Sequence, residues 1–349
     1  MKTLLITILG IAGVIPVSAQ LPISSGARLP VWPTASPGQG PQNHSLHGPY
    51  VVASGDLNGD GLPEVVSASS ADGTVAVFWN QGGNGRLGFS STFSEPELHS
   101  LLGVSFGIRS LVIVDLDGDG DQDIVFGAEA SQAIGWLEND GAGLLTIQPL
   151  YTIISPGPGL SSVKEIDVSD VDGDGSLDIL FASTWPNGGQ VGWLSGATGW
   201  SAVSLLPDTR PAWTVDAADL NGDGHQDLVV GRPSVSGPNG STLEIYLGDS
   251  QGQFTSLPNA LNSSIAGVRE VAVGDINGDG QEDVVGAFSG GSGTGGGLWA
   301  WVQSPAGGAS YEPALAVDSA TALFRGLSLA DLDGDQDLDV VGVAANLNL

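Results

Sequence analysis

Apolar residues recur along this chain in short runs that alternate with glycine-rich polar turns, and nowhere do they fall at the three-to-four spacing of an amphipathic helix. One order of elements repeats. An apolar strand enters a polar turn, as in SLVIVD ending at Asp115 or REVAVGD ending at Asp275, and a second leaves it, as in DIVFGA from Asp123 or DLVVGR from Asp227. A third strand carries an aromatic residue: TVAVFWN, AIGWLEN, QVGWLSG, TLEIYLG and GLWAWVQ. A weaker fourth, such as LLTIQPLY, closes the unit. Four short strands per repeat, joined by glycine-rich turns, predict a blade and an all-β protein.

The turns between first and second strands are copies of one another: DLNGDGLPE from Asp56, DLDGDGDQD from Asp115, DVDGDGSLD from Asp170, DLNGDGHQD from Asp219, DINGDGQED from Asp275 and DLDGDQDLD from Asp331. The starts lie 49 to 59 residues apart. A period of this length with strand-like filling predicts a β-propeller of six or seven four-stranded blades over residues 49–349. After Asp331 the chain carries one more strand, DVVGVAANL. Either residues 20–48 supply outer strands that close the ring, or the sequence is a fragment, incomplete at its C-terminus.

The N-terminus reads as a targeting segment. Lys2 is followed by an almost wholly apolar stretch over residues 4–17 and then by Val17, Ser18 and Ala19, a small-residue cleavage pattern that makes residues 1–19 a signal peptide. The apolar run is shorter than the ~20 residues of a spanning helix, and no later segment is apolar enough to span, so secretion to the extracellular space or cell surface is expected. Residues 20–48, rich in Pro, Gly and Ser, read as an irregular lead-in. Asn43, Asn239 and Asn262 each begin an N-x-[ST] sequon.

Charge and composition narrow the function classes. Among 349 residues there are 39 acids and 9 bases, a formal net charge of −30. Nucleic-acid binding requires basic patches, and adhesion to anionic lipid requires clustered Lys and Arg, so neither partner is expected. With no cysteine, disulfides, thiolate catalysis and Cys-ligated zinc are excluded. Hydrophobic residues at 41% are enough for a large core.

The repeated turn suits calcium. Oxygen-bearing side chains at positions 1, 3, 5 and 9 place hard ligands on one side of a tight loop, and calcium takes six to eight oxygens, some from carbonyls and water. The candidate ligands are Asp56, Asn58, Asp60 and Glu64; Asp115, Asp117, Asp119 and Asp123; Asp170, Asp172, Asp174 and Asp178; Asp219, Asn221, Asp223 and Asp227; Asp275, Asn277, Asp279 and Asp283; and Asp331, Asp333, Asp335 and Asp339. The carbonyl of Leu62 is expected to join the first set. Glycine at position 6 in five of the six loops suits a positive φ. EF-hand loops open alike but carry Glu at position 12 between helices, whereas Phe126 and Gly286 stand there here and the flanks are strands. Four carboxylates gathered without a cation would repel.

These six copies, with the N-D-G-like turn that follows Trp136, resemble FG-GAP and VCBS-type repeats, the units of integrin-like β-propellers and of many secreted proteins. The resemblance covers residues ~50–349. It implies calcium between the first and second strands of each blade, and a family that spans adhesion modules, carbohydrate binders and a few polysaccharide lyases. The Gly-Ala-Pro element of integrin repeats is absent, which favours the VCBS-like branch. Gln336 in place of glycine predicts a distorted or weak last site.

Catalysis finds little support. His44, His47, His99 and His225 read as exposed bystanders, and no G-x-S-x-G, H-E-x-x-H or P-loop is present. The glycine-rich run 290–297 precedes no helix and is a strand connection. A polysaccharide lyase, the competing class, would want a basic residue beside calcium, and after cleavage Lys164 is the one lysine left. One further register stands out. Six residues before each first Asp lie Tyr50, Arg109, Lys164, Trp213, Arg269 and Arg325, four of the nine Lys and Arg residues plus two aromatics. In a propeller they would ring the channel mouth away from the calcium loops. They would either hold an anionic ligand, with Tyr50 and Trp213 stacking on a sugar, or pair with acids such as Glu165, Asp167 and Glu270. The reading is a secreted calcium-binding propeller that binds a glycan or an extracellular protein.

Overall fold

The computed structural model describes residues 3–5, 49–71, 73–80, 87–93, 107–129, 133–148, 162–184, 189–233, 242–258, 260–261, 265, 267–290, 296–318, 323–332 and 337–345. The cleavage site, the lead-in, all three sequons, His44, His47, His99, and Asp333, Asp335 and Gln336 lie outside the described residues.

After β1 (Thr3–Leu5), five groups of four strands follow one another. The first is β2 (Pro49–Gly55), β3 (Glu64–Ser69), β4 (Val75–Asn80) and β5 (Leu87–Phe93). The second is β6 (Ile108–Val114), β7 (Asp123–Ala128), β8 (Ala133–Asn139) and β9 (Leu145–Gln148), and the third β10 (Val163–Ser169), β11 (Asp178–Thr184), β12 (Gly189–Leu194) and β13 (Val203–Leu205). The fourth is β14 (Thr214–Ala218), β15 (Asp227–Gly231), β16 (Leu243–Gly248) and β17 (Phe254–Leu257), and the fifth β18 (Val268–Gly274), β19 (Asp283–Phe288), β20 (Gly297–Trp301) and β21 (Leu315–Asp318). Each group is one antiparallel sheet whose spatial order is its chain order. The protein is an all-β β-propeller, and its described residues contain no α-helix.

The blade count differs from expectation. Among the described residues there are five four-stranded blades rather than six or seven. The last repeat supplies β22 (Leu323–Ala330) and β23 (Asp339–Ala345), and the third strand of that sheet is β1, parallel to β23 with Thr3 opposite Val340 and Leu5 opposite Gly342. Among the described residues one strand follows the last loop, and β1 lies within the segment read above as a signal peptide, so a cleaved chain would lose this pairing and leave the β23 edge open.

Two compact units carry these sheets. One holds the first two blades, the other the remaining three with the last sheet. In both, the second strand of each blade lies between two neighbours in its sheet and is buried along its whole length, as in β7 and β19. That burial explains why these strands read as continuous apolar runs rather than alternating ones. The core lies in the layers between sheets. Val66, Val77 and Leu57 of the first blade pack with Ile124, Phe126 and Leu137 of the second. Leu180 and Trp193 of the third pack with Leu228 and Val230 of the fourth. The Phe126 ring lies where a Cβ on Gly135 would stand, 2.1 Å from its Cζ, so glycine is required before Trp136.

Candidate metal centres and a bulged tier at the far strand ends

The five fully described loops share one local design. Glycines at positions 4 and 6 both adopt positive φ, from Gly59 (69°) and Gly61 (84°) to Gly278 (74°) and Gly280 (81°). L-residues avoid this region, so both glycines are needed for a turn this tight. The first-position carboxylate collects the backbone N–H groups that point inward. Asp219 Oδ1 accepts from Gly222 and Asp223, and its Oδ2 accepts from Gly224 at 2.8 Å. The fifth-position carboxylate accepts the N–H of position 7, as Asp279 does from Gln281 at 2.9 Å. His225 donates its N–H to Asp223 in this way, as its loop position requires.

The ninth-position acid is more deeply built in. Glu64, Asp123, Asp178, Asp227 and Asp283 are all buried, and each bonds to two backbone segments. One oxygen accepts the N–H of loop position 2; the other accepts an N–H at the end of the third strand. For Asp227 these are Leu220 at 3.0 Å and Gly248 at 2.8 Å; for Asp178 they are Val171 at 2.9 Å and Gly196 at 2.8 Å. In the last loop Asp339 Oδ2 still accepts from Leu332 at 3.2 Å. Burial, opposed by these hydrogen bonds and reinforced by the other loop acids, pushes Asp123, Asp178, Asp227 and Asp283 up to about 6 and raises Glu64.

Position 3 divides the loops. Where it is Asn, its amide donates to a neighbouring carboxylate: Asn58 to Glu64, Asn221 to Asp223 and Asn277 to Asp283. Where it is Asp there is no such donor, and carboxylate oxygens face one another. Asp115, Asp117 and Asp123 offer oxygens within 4.8 Å of one another, as do Asp170, Asp172 and Asp174. Asp172 has the Trp193 indole as a side-chain hydrogen-bond partner, yet burial and the charges of Asp174 and Asp170 raise its pKa. A hard divalent cation fits this donor set, and carboxylates gathered this closely without one repel.

The six-residue register lands on a structural feature that the sequence does not display. Tyr50, Arg109, Arg269 and Arg325 are each the extra residue of a β-bulge at the start of a first strand. The register slips between Pro49 and Val51, Ile108 and Ser110, Val268 and Glu270, and Phe324 and Gly326. Trp213 does the same, because its N–H donates to the Gly231 carbonyl while Thr214 pairs with the same Gly231. Bulges re-aim a side chain and recur beside functional sites.

The structure brings these residues together in two groups. In the first unit the Arg109 guanidinium lies 4.5 Å from the Tyr50 ring centroid, donates to the Tyr50 hydroxyl at 3.0 Å and pairs with Glu129. In the second, Arg269 lies 3.9 Å and Lys164 5.9 Å from the Trp213 ring centroid, and Arg269 Nε donates to Ser289 Oγ at 3.0 Å. The aromatic faces expected to stack on a sugar are therefore engaged by cations. Glu165 and Glu270 turn to backbone N–H groups of the next blade. Lys164 sits at the end of β10 away from Asp170, so it is not a base beside the candidate calcium loop.

Sequence reasoning missed one cluster in the second unit. Arg232 is 1% exposed and bonds to Glu244 Oε2, Asp208 Oδ2 and the Tyr246 hydroxyl at 2.8, 2.8 and 3.0 Å. Arg210 pairs with Asp208 and Glu244. Burial opposes ionisation of Asp208, yet the Arg210 hydrogen bonds and the Arg232 charge prevail and pull it down to about 2. The available signal was weak: Glu244 and Tyr246 alternate onto one face of a third strand otherwise filled by apolar residues.

Comparison with known proteins agrees with this architecture. The model of the FG-GAP-like repeat matches residues 56–126, 115–181, 170–230 and 234–286, and the chain belongs to that family. Phosphatidylinositol-glycan-specific phospholipase D of Rattus norvegicus is 35% identical over 161 residues, 39% of this chain; the Bos taurus protein is 34% identical over 161 residues. The chain spans only 18% and 19% of those relatives' lengths. Among solved structures, an Agrocybe aegerita lectin that recognises non-reducing terminal N-acetylglucosamine shares the fold. It has a TM-score of 0.58 and 18% identity, over 85% of this chain and 75% of the lectin.

Proposed function

We propose that this FG-GAP-like repeat propeller is a secreted, calcium-stabilised binding module that takes an anionic glycan, or an acidic extracellular protein, at the bulged tier of its first strands. Lys164 and Arg269 converge on Trp213 from the two neighbouring first strands, and this is the observation that carries the reading. In a chain of net charge −30, two cations within reach of one ring form a local positive site, and charge-assisted hydrogen bonds to a carboxylate or sulfate are roughly twice as strong as neutral ones. Trp213 holds the cations in place rather than stacking on the sugar. The calcium loops lie at the other end of the same strands and set the strand geometry without touching the ligand.

The experiment is a glycan array followed by titration calorimetry with the best binder, for the native chain, Lys164→Ala and Arg269→Ala. Binding of uronate- or sulfate-bearing glycans that weakens about tenfold or more in either variant, with the melting temperature unchanged, is the expected result. Neutral glycans bound equally by all three proteins would refute the assignment of the tier.

A further inference from the structure

The first strand of each blade sits at one edge of its sheet, and that edge carries backbone N–H groups with no ladder partner. In the second unit, carboxylates of neighbouring first strands meet this need at three successive junctions. Glu165 Oε2 on β10 accepts the Val215 N–H of β14 at 3.2 Å. Asp216 Oδ2 on β14 accepts the Val273 N–H of β18 at 2.8 Å. Glu270 Oε2 on β18 accepts the Leu327 N–H of β22 at 3.0 Å. Thr214 extends the first contact: its Oγ accepts the Val271 N–H at 3.0 Å, and its hydroxyl bonds to Glu165.

The charges acting on these acids are mostly other acids. Glu270, Asp216 and Asp167 act on Glu165; Asp167 and Glu282 act on Asp216; Asp216 acts on Glu270. The nearest cations in sequence, Lys164 and Arg269, lie over Trp213, and Arg325 of β22 is exposed.

We propose that Glu165, Asp216 and Glu270 are a proton-dependent clasp between successive blades, closed while they hold protons and loosened as they ionise together, so that the stability of this unit declines as pH rises through neutrality. A protonated carboxyl still accepts a backbone N–H through its carbonyl oxygen, whereas several carboxylates crowded together repel. Burial first, with the neighbouring acids behind it, outweighs the clasp hydrogen bonds, which favour the ionised form, and holds Glu270 up to about 8, Asp216 up to about 7 and Glu165 well above 4.5, with Asp167 also raised. An acid whose pKa rises on folding contributes stability that is complete below its unfolded value and is lost as pH climbs through the folded one. The window therefore runs from the ordinary carboxylate range up to about 8. None of the three is a calcium-loop residue, and the inference does not depend on which ligand the tier takes.

The test uses the full chain at saturating calcium. Melting temperature is followed from about pH 6 to about pH 9 for the native protein and for the Glu165→Gln, Asp216→Asn, Glu270→Gln triple variant, in which each amide keeps a carbonyl oxygen for the same N–H. By linkage, each clasp proton bound only in the folded state makes folding about tenfold less favourable per pH unit. The native melting temperature is expected to fall across this range, and the triple variant to stay nearly flat and melt higher at the alkaline end. A flat native profile overturns the proposal, as does a variant with the native slope. Should the triple variant fail to fold, Asp216→Asn and Glu270→Gln singly must each flatten the native slope, and infrared titration of the native carboxyls must show protons lost near neutrality; failure of either is equally fatal.

Discussion

Loops with Asp at position 3 should depend on calcium more than loops with Asn, and Asp172→Asn puts a number on the difference. The change turns the third loop into the kind found in the first, fourth and fifth. The three acids of that loop offer oxygens within 4.8 Å of one another, close enough for calcium to sit about 2.3–2.6 Å from each, and taking about 4 Å to the spread carboxylate charge as a conservative separation, the ion loses one unit charge there. In a water-like dielectric that is about 2 kcal/mol of attraction for a divalent ion, or roughly a thirtyfold weaker site. At a calcium concentration about 100 times the native dissociation constant, one site contributes ~2.7 kcal/mol. After a thirtyfold loss the same concentration gives about 0.8 kcal/mol. The deficit of about 2 kcal/mol lowers the melting temperature of a unit this size by about 4–8 °C. In EDTA the order should reverse or vanish, because the amide removes repulsion among Asp170, Asp172 and Asp174. Calorimetric melting of both proteins in calcium and in EDTA provides the four numbers needed. A melting difference of the same sign and size in both buffers would refute the calcium reading of this loop.

Arg232→Met removes a buried guanidinium from between Asp208 and Glu244 and should destabilise by about 3–5 kcal/mol in urea denaturation, with glycan binding at the tier unchanged. The same network sets an acid limit: Asp208, held at about 2 against an ordinary 3.8, contributes stability above the unfolded value that is lost as pH falls from about 4 toward 2, and Asp208→Asn should remove that acid dependence. Gly135→Ala should cost at least 2–3 kcal/mol, because its Cβ would stand 2.1 Å from Phe126. Gly222→Ala, at φ 76° with open space around it, should cost only the ~1–2 kcal/mol of left-handed strain, and equal losses in denaturant melts of the two variants would refute the steric argument.

The repeat, the strand order within a blade and the turn glycines were legible because each has a local cause. A second strand buried on both faces must be apolar throughout, and a turn with two positive-φ positions must carry glycine at both. Blade number was not legible to the same degree, because a repeat count gives the number of loops and not the number of complete four-stranded sheets, and the last repeat contributes only β22 and β23 of its own among the described residues. The ninth-position acids were found by spacing, but spacing assigns them to the metal alone. Their second role, bridging loop position 2 and the third strand through both oxygens, joins backbone groups far apart in sequence. Asn139 and Gln303 extend the same joint between blades, donating side-chain N–H groups to the carbonyls of Leu57 and Leu220 in the preceding blade.

At the bulged tier, spacing along the chain and direction of the side chain part company. A register of six residues suggested side chains of equal height, and simple alternation would have sent them to the same face as every second residue of the strand. The bulge changes that inference. Two residues of the first strand oppose one of the second, the side chain at the slip is re-aimed, and the strand beyond it resumes the register that sends Glu165, Asp216 and Glu270 toward the next blade. At Arg269 the irregularity falls between a base and the acid that follows it in sequence, Glu270. The bases lie over Trp213 and the acids close the blade junctions. Deleting Arg269 outright, rather than replacing it, tests this: the deletion should abolish the slip and cost far more stability than Arg269→Ala, whereas equal losses would mean that the bulge places nothing.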